Sequence, residues 1–134
     1  MRISITQALG AFTSLKPISY EKLGNHKFID IYAALFPIVK KYSDMQKAVE
    51  DDRKELGEKY AKIIEAAKND DEKAKAKEEY QKEFYNCISA KALNEFLEGS
   101  EDVELPTLTK AEWVNLGEHL STIGELGNFA FMLE

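Results

Sequence analysis

The sequence contains few of the residues that most often build rigid or reactive sites. Its 134 residues include one cysteine, two histidines, three prolines and one tryptophan. A single cysteine, Cys87, excludes an intramolecular disulfide and indicates a reducing compartment. No apolar run approaches the roughly 20 residues of a membrane helix, and the N-terminus lacks the apolar segment of a signal peptide. We therefore expect a cytoplasmic protein with no membrane association.

Positive charge is also scarce. The chain carries 18 basic and 24 acidic residues, a net charge of −6. Nucleic acids and anionic membranes are bound by basic surfaces, so this balance argues against both as partners. The charge is unevenly placed: residues 1–43 hold six basic and two acidic residues, whereas residues 85–134 hold two basic and nine acidic ones. The two ends can attract each other within one chain or between chains.

Apart from these scarce residues, the sequence shows the pattern of long, charged helices. The composition and length fit one domain over residues 1–134. Residues 2–5 alternate like a short strand, and Thr6 is placed to cap a helix that ends before Pro17. A short turn or helix is expected from Ser19 to Asn25, which completes the N-terminal segment 1–25.

A helical hairpin is predicted over residues 26–98. Its first arm runs from about Lys27 to Ala67, with a break or bend at Pro37. The apolar stretch 28–36 is expected to be deeply buried. The turn lies near 68–71, where Asn69 either ends the first helix or caps the second. The second arm is predicted as one helix from Asp71 to Leu97.

The two arms carry a stripe of apolar residues at steps of three and four, as in a coiled coil. In the first arm the stripe runs over Tyr42, Met45, Val49, Asp52, Leu56 and Ile63, with Lys59 or Tyr60 in the remaining position. In the second arm it runs over Tyr80, Phe84, Cys87 or Ile88, Ala92 or Lys91, and Phe96. A hairpin of two helices leaves faces uncovered, so the stripe is also a candidate contact for a partner.

Residues 99–134 are predicted as an extended segment followed by a C-terminal helix. The segment 101–108 can pair with residues 2–5 in a small sheet, and Thr109 with Glu112 forms a capping box. Gly117 and Gly124 either break this helix or give it a smooth face for close packing. The apolar end, residues 128–134, must be buried against the body or a partner. The predicted fold class is thus mainly α, a long antiparallel hairpin with a two-stranded β element and a C-terminal helical segment.

Catalytic and metal-binding patterns are not found. His26 and His119 lack partners at recognised ligand spacings, and no glycine-rich phosphate loop is present. Cys87 is interpreted as a buried structural thiol. No cofactor, metal or catalytic residue is predicted, and the chain is expected not to be an enzyme.

Residues 47–61, KAVEDDRKELGEKYA, contain an Arg-x-x-Leu-x-x-Lys-Tyr pattern from Arg53 to Tyr60, and residues 78–113 end in an extended VELP segment and a capped helix. These two stretches resemble a family of small phage and prophage proteins of unknown function. The sequence departs from the family in a longer, more glycine-rich C-terminus. The resemblance implies virion-assembly or accessory work in the bacterial host cell or in the virion.

The sequence thus predicts a non-catalytic protein that binds a phage structural protein, a host protein or a second copy of itself. The alternatives are a small acidic inhibitor of a host protein and, less favoured, an enzyme with an unrecognised site. The candidate interaction residues follow the apolar stripe and the C-terminal end. They are Tyr42, Met45, Val49, Arg53, Leu56, Tyr60, Tyr80, Phe84, Phe129 and Phe131.

Overall fold

A computed structural model describes residues 1–18 and 26–133. Among these residues the fold is mainly α with one small antiparallel sheet, as predicted. The chain forms two compact units, one of residues 1–41 and 97–134 and the other of residues 42–96. The single-domain assignment stays a prediction, and each unit is described by itself. The turn or helix expected from Ser19 to Asn25 lies outside the described residues.

The chain begins with strand β1 (Arg2–Ser4) and helix α1 (Ile5–Leu15). The cap of α1 is Ser4, not Thr6 as the sequence suggested. The Ser4 hydroxyl accepts a hydrogen bond from the Gln7 backbone N–H, and the Gln7 side chain accepts one from the Ser4 backbone N–H. This reciprocal capping box starts the helix two residues earlier, which leaves Thr6 inside the first turn.

Helix α2 (His26–Ala66) is continuous through Pro37. The break considered at this proline is therefore absent. The expected burial of the whole stretch 28–36 was wrong, because the helix buries only one face of it. Phe28, Ile31 and Leu35 are at most 2% exposed, and three large apolar side chains on the other face are exposed.

The turn between the arms lies at residues 67–69, and helix α3 (Asp70–Asn86) follows. Of the two roles considered for Asn69, the structure shows the N-cap. Its side-chain oxygen accepts a hydrogen bond of 2.9 Å from the Glu72 N–H. Asp70, Asp71 and Glu72 then place negative charge in the first turn, where the helix dipole favours it.

The second arm is not one helix. It breaks at Cys87, whose backbone is extended (φ −64°, ψ 149°), and resumes as α4 (Ile88–Glu98). The side chain of Asn86 folds back on the last turn of α3 and donates to the Lys82 carbonyl at 2.8 Å. Of the two residues considered for the stripe at this level, Ile88 is 87% exposed and Cys87 is half-buried.

Strand β2 (Ser100–Asp102) pairs antiparallel with β1 in the predicted sheet, with Ile3 opposite Glu101. Helix α5 (Lys110–Gly117) carries the predicted capping box between Thr109 and Glu112. It ends at Gly117, as expected if the glycine breaks the helix. Helix α6 (Ile123–Gly127) and a 3₁₀ turn (Ala130–Met132) complete the described chain.

The core of the first unit is formed by both ends of the chain. Leu108 and Leu133 form an isolated parallel bridge, and the Leu108 N–H donates to the Met132 carbonyl. Lys27 holds α5 by donating to the Thr107 carbonyl at 3.0 Å and to Glu112 at 2.8 Å. The fully buried residues include Ile3, Ile5, Ile31, Leu35, Leu108, Leu116, Phe129 and Met132.

Candidate functional site

The predicted interaction residues of the second unit are all buried or half-buried. Val49 and Tyr60 are buried, 5% and 4% exposed. The others are half-buried: Tyr42, Met45, Arg53 and Leu56 on α2, and Tyr80 and Phe84 on α3. Arg53 and Tyr60 contact the second arm, so part of the predicted stripe is occupied by contacts within the hairpin itself.

Aromatic rings connect the two arms. The ring centres of Tyr60 and Tyr80 are 5.5 Å apart, and those of Tyr80 and Phe84 are 5.8 Å apart. Burial of the Tyr60 side chain raises its pKa, and a hydrogen bond and the negative charge of Glu83 act in the same direction. The raised pKa favours the neutral phenol in a cluster that packs the hairpin.

The first arm departs from the predicted stripe near the turn. Ile63, assigned to the stripe, is 42% exposed. The residue that lies against the second arm at this level is Tyr60, one of the two alternatives considered. Lys59 is exposed, and its Nζ pairs with Glu83 at 3.8 Å. The predicted stripe therefore extends to Tyr60 and fails at Ile63.

The two C-terminal candidates lie in the first unit and differ from each other. Phe129 is fully buried, and Phe131 is half-buried in the 3₁₀ turn. The predicted burial of the C-terminal segment holds for Phe129 and Met132, both 0% exposed. Phe129 is therefore part of the core, and of this pair only Phe131 reaches the surface.

Cys87 is half-buried, which corrects its interpretation as a buried thiol. Its sulfur lies 3.5 Å from the Ser89 hydroxyl, and this contact is the main cause that lowers the pKa of the thiol. The Ala90 backbone N–H and the charge of Arg53 also lower this pKa, while burial opposes them. The cavity beside the thiol measures about 260 Å³ and is lined by Asp52, Glu55, Leu56, Lys59 and Cys87.

The first unit carries a surface that the sequence analysis missed. Ile29, Tyr32 and Phe36 project from one face of α2 and are 44%, 36% and 48% exposed. We call these three residues the N-terminal strip. The Tyr32 ring stacks on Phe12 of α1 with centres 4.6 Å apart, and the Phe36 ring lies 6.3 Å from Phe12. The buried residues Phe28, Ile31 and Leu35 follow the same steps of three and four, so periodicity shows two apolar faces here but does not tell which one is covered.

Two further large apolar side chains of the same unit are exposed. Val114 on α5 and Ile123 at the start of α6 are 49% and 89% exposed. Glu118, at the end of α5, lies one turn after Val114 and is also exposed, whereas Glu125 is half-buried two residues after Ile123 and on the other side of α6. We call Val114 and Glu118 the C-terminal patch. Helices α5 and α6 are joined by a hydrogen bond of 3.2 Å from the Trp113 indole N–H to the Leu126 carbonyl.

His119 and Ser121 line one small cavity of about 190 Å³ together with Ser14 and Glu125. Among the described residues, His119 forms no side-chain hydrogen bond with Ser121 or Glu125, so these groups do not form a triad. The side chain of His26 lies outside the described residues. Residues 1–18 and 26–133 contain no group of three or more His, Cys, Asp or Glu side chains arranged to hold a metal ion.

Within the described part of the chain, none of the helices combines the length and apolar character needed to span a bilayer. Comparison with known proteins places the chain in no family: no family model, no curated protein and no solved structure matches it.

Proposed function

We propose that this protein is a non-catalytic protein-binding factor that uses the N-terminal strip as a contact surface. The observation that carries the proposal is the exposure of Ile29, Tyr32 and Phe36 on one face of α2. Contiguous exposed apolar side chains are costly in water and mark interaction sites. Anchors at positions i, i+3 and i+7 are also the pattern by which a helix face binds a protein groove.

The environment of the strip supports a preformed contact. Phe12 is only 5% exposed and lies beneath Tyr32, so the exposed rings rest on a packed core. Aromatic side chains held in this way lose little conformational freedom on binding, and they contribute strongly to interface energies. Lys16 follows Phe12 by one helical turn and Lys40 follows Phe36 by one turn, which gives the strip a basic edge.

The process we propose is virion assembly or another accessory task of a phage or prophage, in the host cytoplasm or in the virion. The proposal draws on the resemblance in residues 47–61 and 78–113. The partner is then a phage structural protein, a host protein or another copy of the chain. An assembly factor requires a contact surface and no catalytic group, and the N-terminal strip is the contact surface that we propose.

A small acidic inhibitor of a host protein is the second candidate. One observation favours it: residues 85–134 carry nine acidic and two basic residues. Glu118 makes no ion pair with the described residues, so its charge is available to a basic target. An inhibitor of this kind would bind through the C-terminal patch and not through the N-terminal strip.

Site-specific photo-crosslinking separates these functions. A photoreactive phenylalanine analogue at Phe36 should crosslink a protein in cells that express the chain together with its native neighbours. The same analogue at Val114 tests the inhibitor, and at Glu58, an exposed position on α2 in the other unit, it serves as the control. Crosslinks at position 114 and not at 36 would favour inhibition, and crosslinks at neither would contradict both functions.

A further inference from the structure

Strand β2 pairs with β1 along one edge, and its other edge has no partner among the described residues. The Val103 N–H donates to the Met1 carbonyl, and the N-terminal amine donates to the Val103 carbonyl. Because backbone groups alternate along an antiparallel ladder, Glu101 also faces β1, whereas the N–H and C=O groups of Ser100 and Asp102 point away from it. Within the described part of the chain, these outward groups form no backbone hydrogen bond. They are the groups to which an added strand binds.

The side chains along this free edge are acidic. Residues 98–104, EGSEDVE, contain no lysine or arginine. Asp102 and Glu104 are exposed, and Asp102 pairs with Arg2 of β1 at 3.4 Å. Glu101 and Glu104 make no ion pair in the ranges that the structure describes. Since opposite charges on neighbouring strands stabilise a sheet, this edge favours a strand that carries basic side chains.

The two faces of β2 differ in their surroundings. Cross-strand neighbours share a face, so Asp102 lies on the exposed face together with Arg2. Glu101 lies on the face of Ile3, which is only 2% exposed. Val103 alternates with Asp102 and therefore belongs to this second face, where it and Glu101 are half-buried. A strand beside β2 would thus meet acidic groups on one face and a partly apolar surface on the other.

A second copy of the chain does not fit this edge. Pairing of β2 with the β2 of another copy would place Asp102 and Glu104 beside the same acids, and like charges on neighbouring strands are destabilising. The outer edge of β1 is closed at Ser4, whose N–H donates to the Gln7 side chain at 3.0 Å where α1 begins. The strand that fits β2 therefore comes from another protein.

We infer that β2 is a docking edge for an extended segment of another protein in which basic residues alternate with apolar ones. The segment adds a third strand to the sheet, and its backbone pairs with Ser100 and Asp102. Its basic side chains lie beside Asp102 and Glu104, and its apolar side chains lie beside Val103. None of these residues belongs to the N-terminal strip, so this contact goes beyond the proposed function.

Blocked peptides of three lysines alternating with three valines test the inference. Binding of the labelled peptide to the whole chain is measured by fluorescence anisotropy at low salt. Alternate N–H groups of an extended strand point to opposite sides, so only one set can meet β2. Two further peptides carry N-methyl groups on all lysines or on all valines, and one of them should bind at least about tenfold more weakly than the other. Attraction by charge alone would leave the two equal, and equality would overturn the inference. So would a wild-type chain that does not bind the unmethylated peptide at about millimolar concentration.

Variants at one position of β2 give a matched test on the protein. Asp102→Pro removes an N–H that points away from β1, so the bonds of the ladder are kept. Asp102→Asn removes the same charge and keeps this N–H. We expect Asp102→Pro to bind the unmethylated peptide at least about tenfold more weakly than Asp102→Asn. Equal binding by the two variants, each shown to be folded by circular dichroism, would contradict a backbone contact.

The control is Glu58→Gln, which neutralises an exposed acid in the other unit. This variant should bind the peptide as wild type does, and more tightly than Asp102→Asn does. A loss as large as that of Asp102→Asn would show that the peptide responds to total charge, and it would overturn the inference. If Asp102→Pro does not fold, the two methylated peptides decide the question on the wild-type chain.

Discussion

The guanidinium carbon of Arg53 lies 4.2 Å from the centre of the Phe84 ring, and its Nε donates a 3.2 Å hydrogen bond to the Phe84 carbonyl. One side chain of α2 thus holds both the ring and the backbone of α3, two residues before α3 ends at Asn86. The carbonyl lies in the last turn of α3, where it has no partner within the helix. Arg53 therefore links the arms and also caps the helix that ends beside it.

We predict that Arg53→Lys destabilises the hairpin by about 1–2 kcal/mol, although it keeps the charge. An ammonium group lacks the planar shape that lets a guanidinium stack on a ring while it donates in its own plane. Urea denaturation, followed by circular dichroism, measures the change in unfolding free energy. Lys54→Arg, at the exposed neighbouring position, is the control and should leave stability unchanged. Equal stability of Arg53→Lys and wild type would show that the contact contributes only charge.

The stripe of the first arm gives a second prediction. Val49→Asp should destabilise the second unit by about 2–4 kcal/mol, because it buries a carboxylate without a partner. Ile63→Asp, which changes a residue that is 42% exposed, should cost less than about 1 kcal/mol. The sequence pattern alone predicts a large cost for both. Melting temperatures of the two variants therefore test the burial that the structure assigns, and equal losses would place Ile63 inside the contact.

Local signals in the sequence were sufficient to predict much of the fold. Asn69 and Thr109 cap helices because their side chains accept bonds from N–H groups three residues on, which short-range chemistry fixes. The pairing of residues 2–5 with the segment 101–108 was predicted from their alternation and extended character, and the structure shows it over residues 2–4 and 100–102, at the start of that segment. Such features depend on neighbours in sequence or on strand pattern, so they can be recognised without the tertiary structure.

The candidate site was predicted less well, because burial depends on tertiary contacts. The stretch 28–36 is apolar except for Asp30, and its composition does not tell that Ile31 is covered while Tyr32 is exposed. The interruption at Cys87 was also missed, since neither glycine nor proline marks it and its cause is an extended backbone at one residue. Tyr60, Tyr80 and Phe84, which were predicted as contacts for a partner, contact each other inside the hairpin.

Cys87 provides a pH-dependent prediction. Because the Ser89 contact lowers the thiol pKa, alkylation by iodoacetamide should reach half its maximal rate at a lower pH in the folded chain than in urea. Ser89→Ala should move this midpoint upward, while Ser121→Ala, at an exposed position in the other unit, should not. Between the folded and unfolded pKa values the unfolded chain binds more protons. The contribution of this thiol to the unfolding free energy therefore rises with pH across that interval and is absent below it.

Asn128 and Ser14 provide the last prediction. The Asn128 amide donates to the Ser14 hydroxyl at 3.0 Å and to the Gly10 carbonyl at 3.4 Å, which fixes the C-terminal elements to α1. Ser14 is only 6% exposed, so Asn128→Ala leaves its hydroxyl buried without this donor and should cost about 1–3 kcal/mol. In the double variant, Ser14→Ala should recover part of the unfolding free energy lost by Asn128→Ala, because it removes the hydroxyl that had lost its donor. A double-mutant cycle in urea should therefore give a coupling of at least about 0.5 kcal/mol. Strictly additive losses would mean that the amide acts on the Gly10 carbonyl alone, and the attachment of α6 to α1 would then rest on one bond to the backbone.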